Sequence, residues 1–178
     1  MATNCGIVTG LNAIDQCFSS SSGGVKKFYV ANFAEVSAVT DSNSVITEIV
    51  MSGTAKFQTY QPNLLSSNFT SDGSGGSVAD GTIGNNYKHM LTAKFSKSDS
   101  VTLNTLKLAA RTRQVLIAEN PAGELFMLGK NMGMILKPNY ESGTEITNFQ
   151  GFTLNYESVG ETENFSTVLL SALTAVLA

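Results

Sequence analysis

His89 is the single histidine of the chain, so it is the first residue to test for chemistry. Zinc sites and Ser-His-Asp or Cys-His machinery all lean on imidazole. Tyr87, His89, Leu91, Ala93 and Phe95 alternate with Lys88, Met90, Thr92 and Lys94. That spacing puts His89 on the apolar face of a strand, where packing is the expected role. The two cysteines, Cys5 and Cys17, lie near the N-terminus. They form no metal-ligand spacing with His89 and are expected to be free thiols in a reducing compartment. The stretch from Gly123 to Lys130 has the outline of a phosphate loop, but Leu125-Phe126-Met127-Leu128 is strand-like and Asn131 follows the lysine where Ser or Thr is required. A phosphate cradle needs free backbone N–H groups at a helix start. Gly73 to Gly76 lacks the strand-to-helix setting of a dinucleotide site. Glu161 and Glu163 sit in a polar stretch and read as solvated. Asn68-Phe69-Thr70 and Asn164-Phe165-Ser166 match the glycosylation pattern, which matters only in a secreted chain. Met1-Ala2-Thr3-Asn4 lacks the basic start and apolar run of a signal peptide. No catalytic constellation emerges, so neither enzyme activity, metal nor cofactor is expected.

The elements that would position these residues read as strands. Lys26 to Val39 alternates aromatic, β-branched and small residues; Thr40-Asp41-Ser42-Asn43-Ser44 is turn chemistry; Val45 to Met51 returns as the second arm of a hairpin. Thr54 to Tyr60 continues in strand style. Ser98-Asp99-Ser100 offers N-cap candidates ahead of a short helix near 99–110, with Leu103, Leu106 and Ala110 at helical spacing. Gln114 to Ala118 is a continuous apolar run and reads as a buried strand. Asn120-Pro121-Ala122-Gly123 is a turn, Glu124 to Leu128 the partner strand, Asn131 to Leu136 another, and Gln150 to Tyr156 a further one. Lys137 to Asn148 reads as a loop. The expected fold is mainly β: a β-sandwich or barrel with one short flanking α-helix.

Three segments fit this body poorly. Residues 1–24 end in Ser19-Ser20-Ser21-Ser22-Gly23-Gly24 and read as a flexible N-terminal arm. The body then spans 25–160. Within it, 62–86 reads as a long loop rich in Gly and Ser that also carries Leu64, Leu65 and Phe69, which a solvated loop would not need. Residues 161–178 read as a tail, with Val168 and Leu169 as apolar contacts. All three segments are expected to order against neighbouring subunits rather than on a lone one.

Charge points the same way. Only 14% of residues are charged and the net charge is −3, which argues against nucleic-acid binding by phosphate neutralisation. A thinly charged surface suits one that partners cover. From Asn86 to Arg113 the bases Lys88, Lys94, Lys97, Lys107, Arg111 and Arg113 face one acid, Asp99; from Asn139 onward Glu141, Glu145, Glu157, Glu161 and Glu163 face no base. A positive patch meeting a negative patch on the next copy would set the register of a head-to-tail ring. The residues expected in such contacts are Leu64, Leu65, Phe69, Lys94, Lys97, Arg111, Arg113, Glu157, Glu161, Glu163, Val168 and Leu169. The apolar C-terminal stretch is too short to span a bilayer, so no membrane anchor is expected.

From the helix onward the order of features resembles a known family. A short helix precedes Val115-Leu116-Ile117-Ala118-Glu119. Then come Gly123, Leu125-Phe126-Met127-Leu128-Gly129, Gly133-Met134, Ser142-Gly143-Thr144 and Gln150-Gly151-Phe152-Thr153-Leu154. This resembles the tail tube proteins of tailed bacteriophages, in variants like those from phages of Bacteroidetes hosts; the tube protein of type VI secretion systems is similar in architecture. The family pattern would place an acid shortly before Gly151-Phe152, where this chain has Asn148-Phe149-Gln150. The resemblance implies hexameric rings stacked into a hollow tube, made in the host bacterial cytoplasm and carried in the virion. DNA would pass through it without specific binding. Other tail proteins (tape measure, terminator, baseplate or hub) would be its partners. The alternatives are another tail, neck or capsid-decoration protein of related fold, or a ligand- or carbohydrate-binding β-sandwich. The absence of tryptophan disfavours the last of these.

Overall fold

The computed structural model describes residues 23–63, 66–77, 83–96, 100–142, 150–158 and 160–178. In chain order the strands are β1 (Lys27–Asn32), β2 (Val36–Ser42), β3 (Val45–Met51), β4 (Gln58–Tyr60), β5 (Asn68–Ser77) and β6 (Ile83–Phe95). Helix α1 (Ser100–Ala109) leads to β7 (Arg113–Glu119), β8 (Leu125–Leu128), β9 (Met134–Glu141), β10 (Gly151–Glu157), β11 (Ser166–Val168) and α2 (Leu170–Thr174). The chain is thus mainly β with short helices, as its composition predicts. Hydrogen bonds link the strands into one open mixed sheet in the order β2-β3-β11-β8-β7-β9-β10-β6-β5, with β1 added against β7 and β4 against β1.

β7 explains the architecture. Gln114 to Ala118 is buried at every position, so both faces of the strand need apolar cover. One edge of β7 pairs with β1 from Gln114 to Glu119. On its other side β8 takes Leu116 to Glu119, and β9 takes only Arg113 and Gln114. The sheet therefore forks at β7. One branch runs through β8 to β11, β3 and β2, the other through β9 to β10, β6 and β5.

The fork creates two cores on opposite sides of a shared wall. Leu116 and Ala118 of β7, with Phe28 and Val30 of β1, join Leu91, Leu136, Leu154 and Tyr156 in the first; Leu106 closes it from α1. Val115 and Ile117 of β7, with Tyr29 and Ala31 of β1, join Ile46, Phe57, Met127, Val168 and Leu173 in the second. The period of two along β1 and β7 deals alternate side chains to the two cores. Aromatic rings fill the first: Phe28 stacks on Tyr60 at 5.2 Å and meets Phe95 and Tyr156 edge-on.

Several expectations are corrected. The stretch 62–86 is no long loop: Asn68–Ser77 pairs residue for residue with Ile83–Thr92. Gly73 reads as a loop signal but serves packing, since a Cβ there would come within 3.0 Å of the Tyr87 ring. The strand expected over Lys26 to Val39 breaks at a 3-10 turn, Phe33–Glu35, where the chain leaves β7 and crosses to the other branch. The loop expected after Leu136 begins instead as the second half of β9, held in register by β10. The tail is built into the subunit: Val168, Ala172, Leu173 and Val176 are buried in the second core, so a lone subunit already gives it the apolar cover that ordering requires. Of the arm, only Gly23 and Gly24 lie among the described residues.

Asn43 and Ser44 both take positive φ, +52° and +62°. They form the two-residue loop whose twist matches a β2–β3 hairpin.

Removing the wall should be expensive. Ile117→Ala is expected to destabilise by about 2–5 kcal/mol, whereas Leu108→Ala on the exposed face of α1 should stay within about 0.5 kcal/mol. Urea denaturation of the two variants side by side checks this.

Candidate functional site

The fork leaves a turn between β8 and β9 with several backbone N–H groups aimed away from any ladder. Gly129 and Gly133 bend it with φ of +73° and +70°. Gly133 N–H closes the turn on the Gly129 carbonyl at 3.1 Å. The N–H groups of Gly129, Asn131 and Met132 are satisfied by side chains instead, and those side chains define the site.

His89 takes the first. It lies on the inward face of β6, 2% exposed. Its Nδ1 accepts the Gly129 N–H at 3.3 Å. A backbone amide can only donate, so Nδ1 carries no proton and Nε2–H donates to the Glu163 carbonyl at 3.1 Å. Burial lowers the histidine pKa, opposed by the Glu161 carboxylate and by the Glu163 carbonyl. The ring also packs on Phe165 at 5.2 Å.

Glu161 takes the other two. Its Oε2 accepts Asn131 N–H and its Oε1 accepts Met132 N–H, each at 3.0 Å. It is 1% exposed. Its backbone is pinned as well: Tyr87 N–H donates to Glu161 O at 2.8 Å, and Glu161 N–H to Tyr87 O at 3.0 Å. Ser158 completes the join, donating its N–H to His89 O at 2.9 Å while its Oγ accepts His89 N–H at 3.0 Å. Lys130 of the turn reaches Asp41 on β2 at 3.1 Å and Glu163 at 3.2 Å. One polar clasp thus ties β6, the β8–β9 turn, β2 and the segment after β10 together.

The expectation that Glu161 is solvated is corrected. A turn with unpaired N–H groups needs a buried acceptor, and a carboxylate with two oxygens suits two adjacent amides. Nothing local to Glu161 announces this, because its partners lie about thirty residues earlier. Glycines at 129 and 133 around a short polar stretch were the available signal.

The clasp also gathers Phe69, which meets Phe126 at 5.3 Å and Phe165 at 5.2 Å. The other expected contact residues are dispersed. Glu157 pairs with Lys88 at 3.0 Å and with Lys137; these lysines hold its carboxyl below the usual range, against a small opposing effect of burial. Arg113 donates to the Met132 carbonyl at 3.1 Å. Arg111 is exposed, and Lys94 lies part-buried on the outer face of β6. Val168 is in the second core, and Leu169 beside it is 45% exposed. Leu64, Leu65 and Lys97 lie outside the described residues.

Two cavities lie away from the clasp. One, of about 470 Å³, is lined by Asn32, Glu35, Lys56, Gln58 and Gln114 among others. The other, of about 410 Å³, is apolar and lined by Tyr60, Phe95, Leu106, Phe152 and Leu154. Among the described residues no group of three or more His, Cys, Asp or Glu side chains is placed to hold a metal, and no helix is long and apolar enough to cross a membrane.

Three variants test the clasp. Glu161→Ala strands two part-buried amides and should lose about 1–3 kcal/mol of stability, with Glu161→Gln, which keeps one acceptor oxygen, falling between it and wild type. Gly129→Ala should lose about 2 kcal/mol or more, because its φ is positive and its Cβ would sit 2.6 Å from Met134 Cγ and 3.1 Å from backbone. Thermal unfolding of all three, with Gly123→Ala at an open turn as the control for positive φ alone, gives the order.

No family model, curated protein or solved structure matches the chain.

Proposed function

We propose that the chain is a structural virion subunit, a tail tube protein that forms stacked hexameric rings around a channel for DNA. The observation that carries this reading is the order of the elements bearing the resembling motifs. Helix α1, β7 with Val115 to Glu119, β8 with Leu125 to Leu128, β9 opening on Met134 and β10 opening on Gly151 follow one another in the chain. All four strands lie in one sheet, and Leu106 of the helix packs into the first core beneath it.

Two surface properties support it. Leu108, Met132, Ile135, Leu169 and Leu170 are large apolar side chains between 41% and 67% exposed, area that a neighbouring copy would cover. The surface is also thinly charged with a net charge of −3, which lets a DNA duplex slide past without being held. In this reading the tape measure, terminator and baseplate or hub proteins meet the ends of the stack.

The structure changes which charges can serve between copies. Glu157, Glu161 and Glu163 are all engaged within the chain. The acidic half of the contact expected from the sequence is therefore largely committed, and apolar cover carries more of the proposed assembly.

Sedimentation of the full chain over a wide concentration range, with electron microscopy of the concentrated sample, is the test. Hexameric rings or tubes are expected, and Leu170→Asp should weaken assembly without lowering the unfolding temperature, since Leu170 is 67% exposed. A strictly monomeric chain at high concentration would overturn the proposal. A single ring that never stacks would favour a terminator or neck role.

A further inference from the structure

We propose that the clasp is an acid-sensitive latch: protonation of His89 frees the β8–β9 turn from β6 and, through the turn, loosens the strap 160–165, while the two cores stay folded. This goes beyond the assembly reading and does not depend on it.

The geometry leaves His89 no room for a second proton. Nδ1 faces the Gly129 N–H at 3.3 Å, a donor that cannot rotate away or turn into an acceptor. A protonated ring would set N–H against N–H in a buried place. The ring cannot escape by flipping, because Nε2–H already serves the Glu163 carbonyl and the ring face lies on Phe165. Loss of the Gly129 bond loosens the turn that presents Asn131 and Met132 to Glu161. The protonated ring keeps its Nε2–H for the Glu163 carbonyl, so the strap loosens through the turn, when Asn131 and Met132 no longer meet Glu161. Both movable parts thus hang on one ring.

The charges around the ring decide whether this happens at accessible pH. On the strap, the Glu161 carboxylate and the Glu163 carbonyl favour the charged ring. On the turn, Lys130 opposes it but is paired with Asp41 of β2 and with Glu163. On β6, the neighbour on the same face is the phenol Tyr87; on β5, Ser71 lies opposite His89 in register. Its Oγ is buried and has no hydrogen-bond partner, so β5 brings no charge to the inner face here. Phe69, Phe126 and Phe165 complete an apolar surround. Burial prevails over both the Glu161 carboxylate and the Glu163 carbonyl, and the folded pKa lies below that of a free imidazole.

The direction follows. Above about pH 6.5 the ring is neutral in closed and open forms alike, and the latch is fully stable. As the pH falls below this, the open form binds the proton first and gains population, until the closed form also titrates at its lower pKa. Each unit of depression is worth about tenfold in the opening equilibrium. Such sub-global opening leaves the best-buried strands protected.

Amide hydrogen exchange, corrected for the intrinsic pH dependence of the chemistry, tests this between about pH 7.5 and about pH 5. The amides of Gly129, Asn131, Met132 and Glu161 should lose protection several-fold toward acid, while those of Leu116 and Ile117 on β7 should not. His89→Gln, which cannot take a proton in this range, should abolish the difference. An unchanged strap in wild type would overturn the proposal, and so would an equal loss in His89→Gln, which would assign the effect to carboxylates. Should that variant fail to fold, NMR of the wild-type imidazole decides. Ring titration and the Gly129 amide shift must share one midpoint, and a ring that stays neutral while the strap opens would equally overturn the latch.

Discussion

The constraint on which the rest of the molecule depends is the two-sided burial of β7. A strand with no solvent face must be covered twice, and a single flat sheet covers nothing. The chain meets this by splitting the sheet at one strand. β8 and β9 are consecutive, yet they dock on different parts of β7 and lead to different branches. Each branch curls over one face of the wall formed by β1 and β7, and each closes its core with helical residues, Leu106 on one side and Leu173 on the other. The fork has a local consequence. Where the branches part, the connecting turn cannot join either ladder, so its amides need acceptors from elsewhere. His89, Glu161 and the strap that carries Glu161 exist in their present places because the sheet divides there.

This ordering of causes explains what could be read along the chain and what could not. β7 was legible because continuous burial leaves a continuous apolar run, Val115 to Ala118, and the turn that follows carries Pro121 and Gly123. The face of β6 was legible because alternation over Tyr87 to Phe95 is a local pattern. Helix α1 was legible from the N-cap candidates in Ser98-Asp99-Ser100 and from Leu106. The β5 strand was not, because its sequence, Asn68 to Ser77, has loop composition, and its pairing is set by a partner that starts six residues after it ends. Nor was the role of the tail. Val168 and Leu173 are apolar in any setting, and only the fork creates the second face of β1 and β7 that receives them.

The clasp was the least legible part. Histidine on an inward strand face is correctly expected to pack, and it does. What local sequence cannot carry is that its two nitrogens meet Gly129, forty residues on, and Glu163, seventy-four residues on. The same distance hides Glu161. The charge asymmetry that suggested contacts between copies has a partly internal origin: Lys88 and Lys137 neutralise Glu157, and Lys130 takes Glu163. Opposite charges separated along a chain are as readily brought together by folding as by assembly. Sequence blocks alone do not distinguish the two.

A polar clasp at a fork does something an apolar one would not. Replacing His89 and Glu161 by well-packed apolar residues would leave the turn amides unpaired, each lost bond costing about 1–3 kcal/mol, so the turn itself selects polar partners. Polar partners in turn impose register. Glu161 must present two oxygens to two neighbouring amides, and His89 must offer one acceptor and one donor, so a strap shifted by one residue satisfies neither. Apolar contacts among Phe69, Phe126 and Phe165 tolerate small slips; the hydrogen bonds beside them do not. The aromatic trio therefore supplies attraction and the clasp supplies position. Because that position rests on a few hydrogen bonds rather than on a large buried area, this is also the place where the two branches can part while each core remains whole.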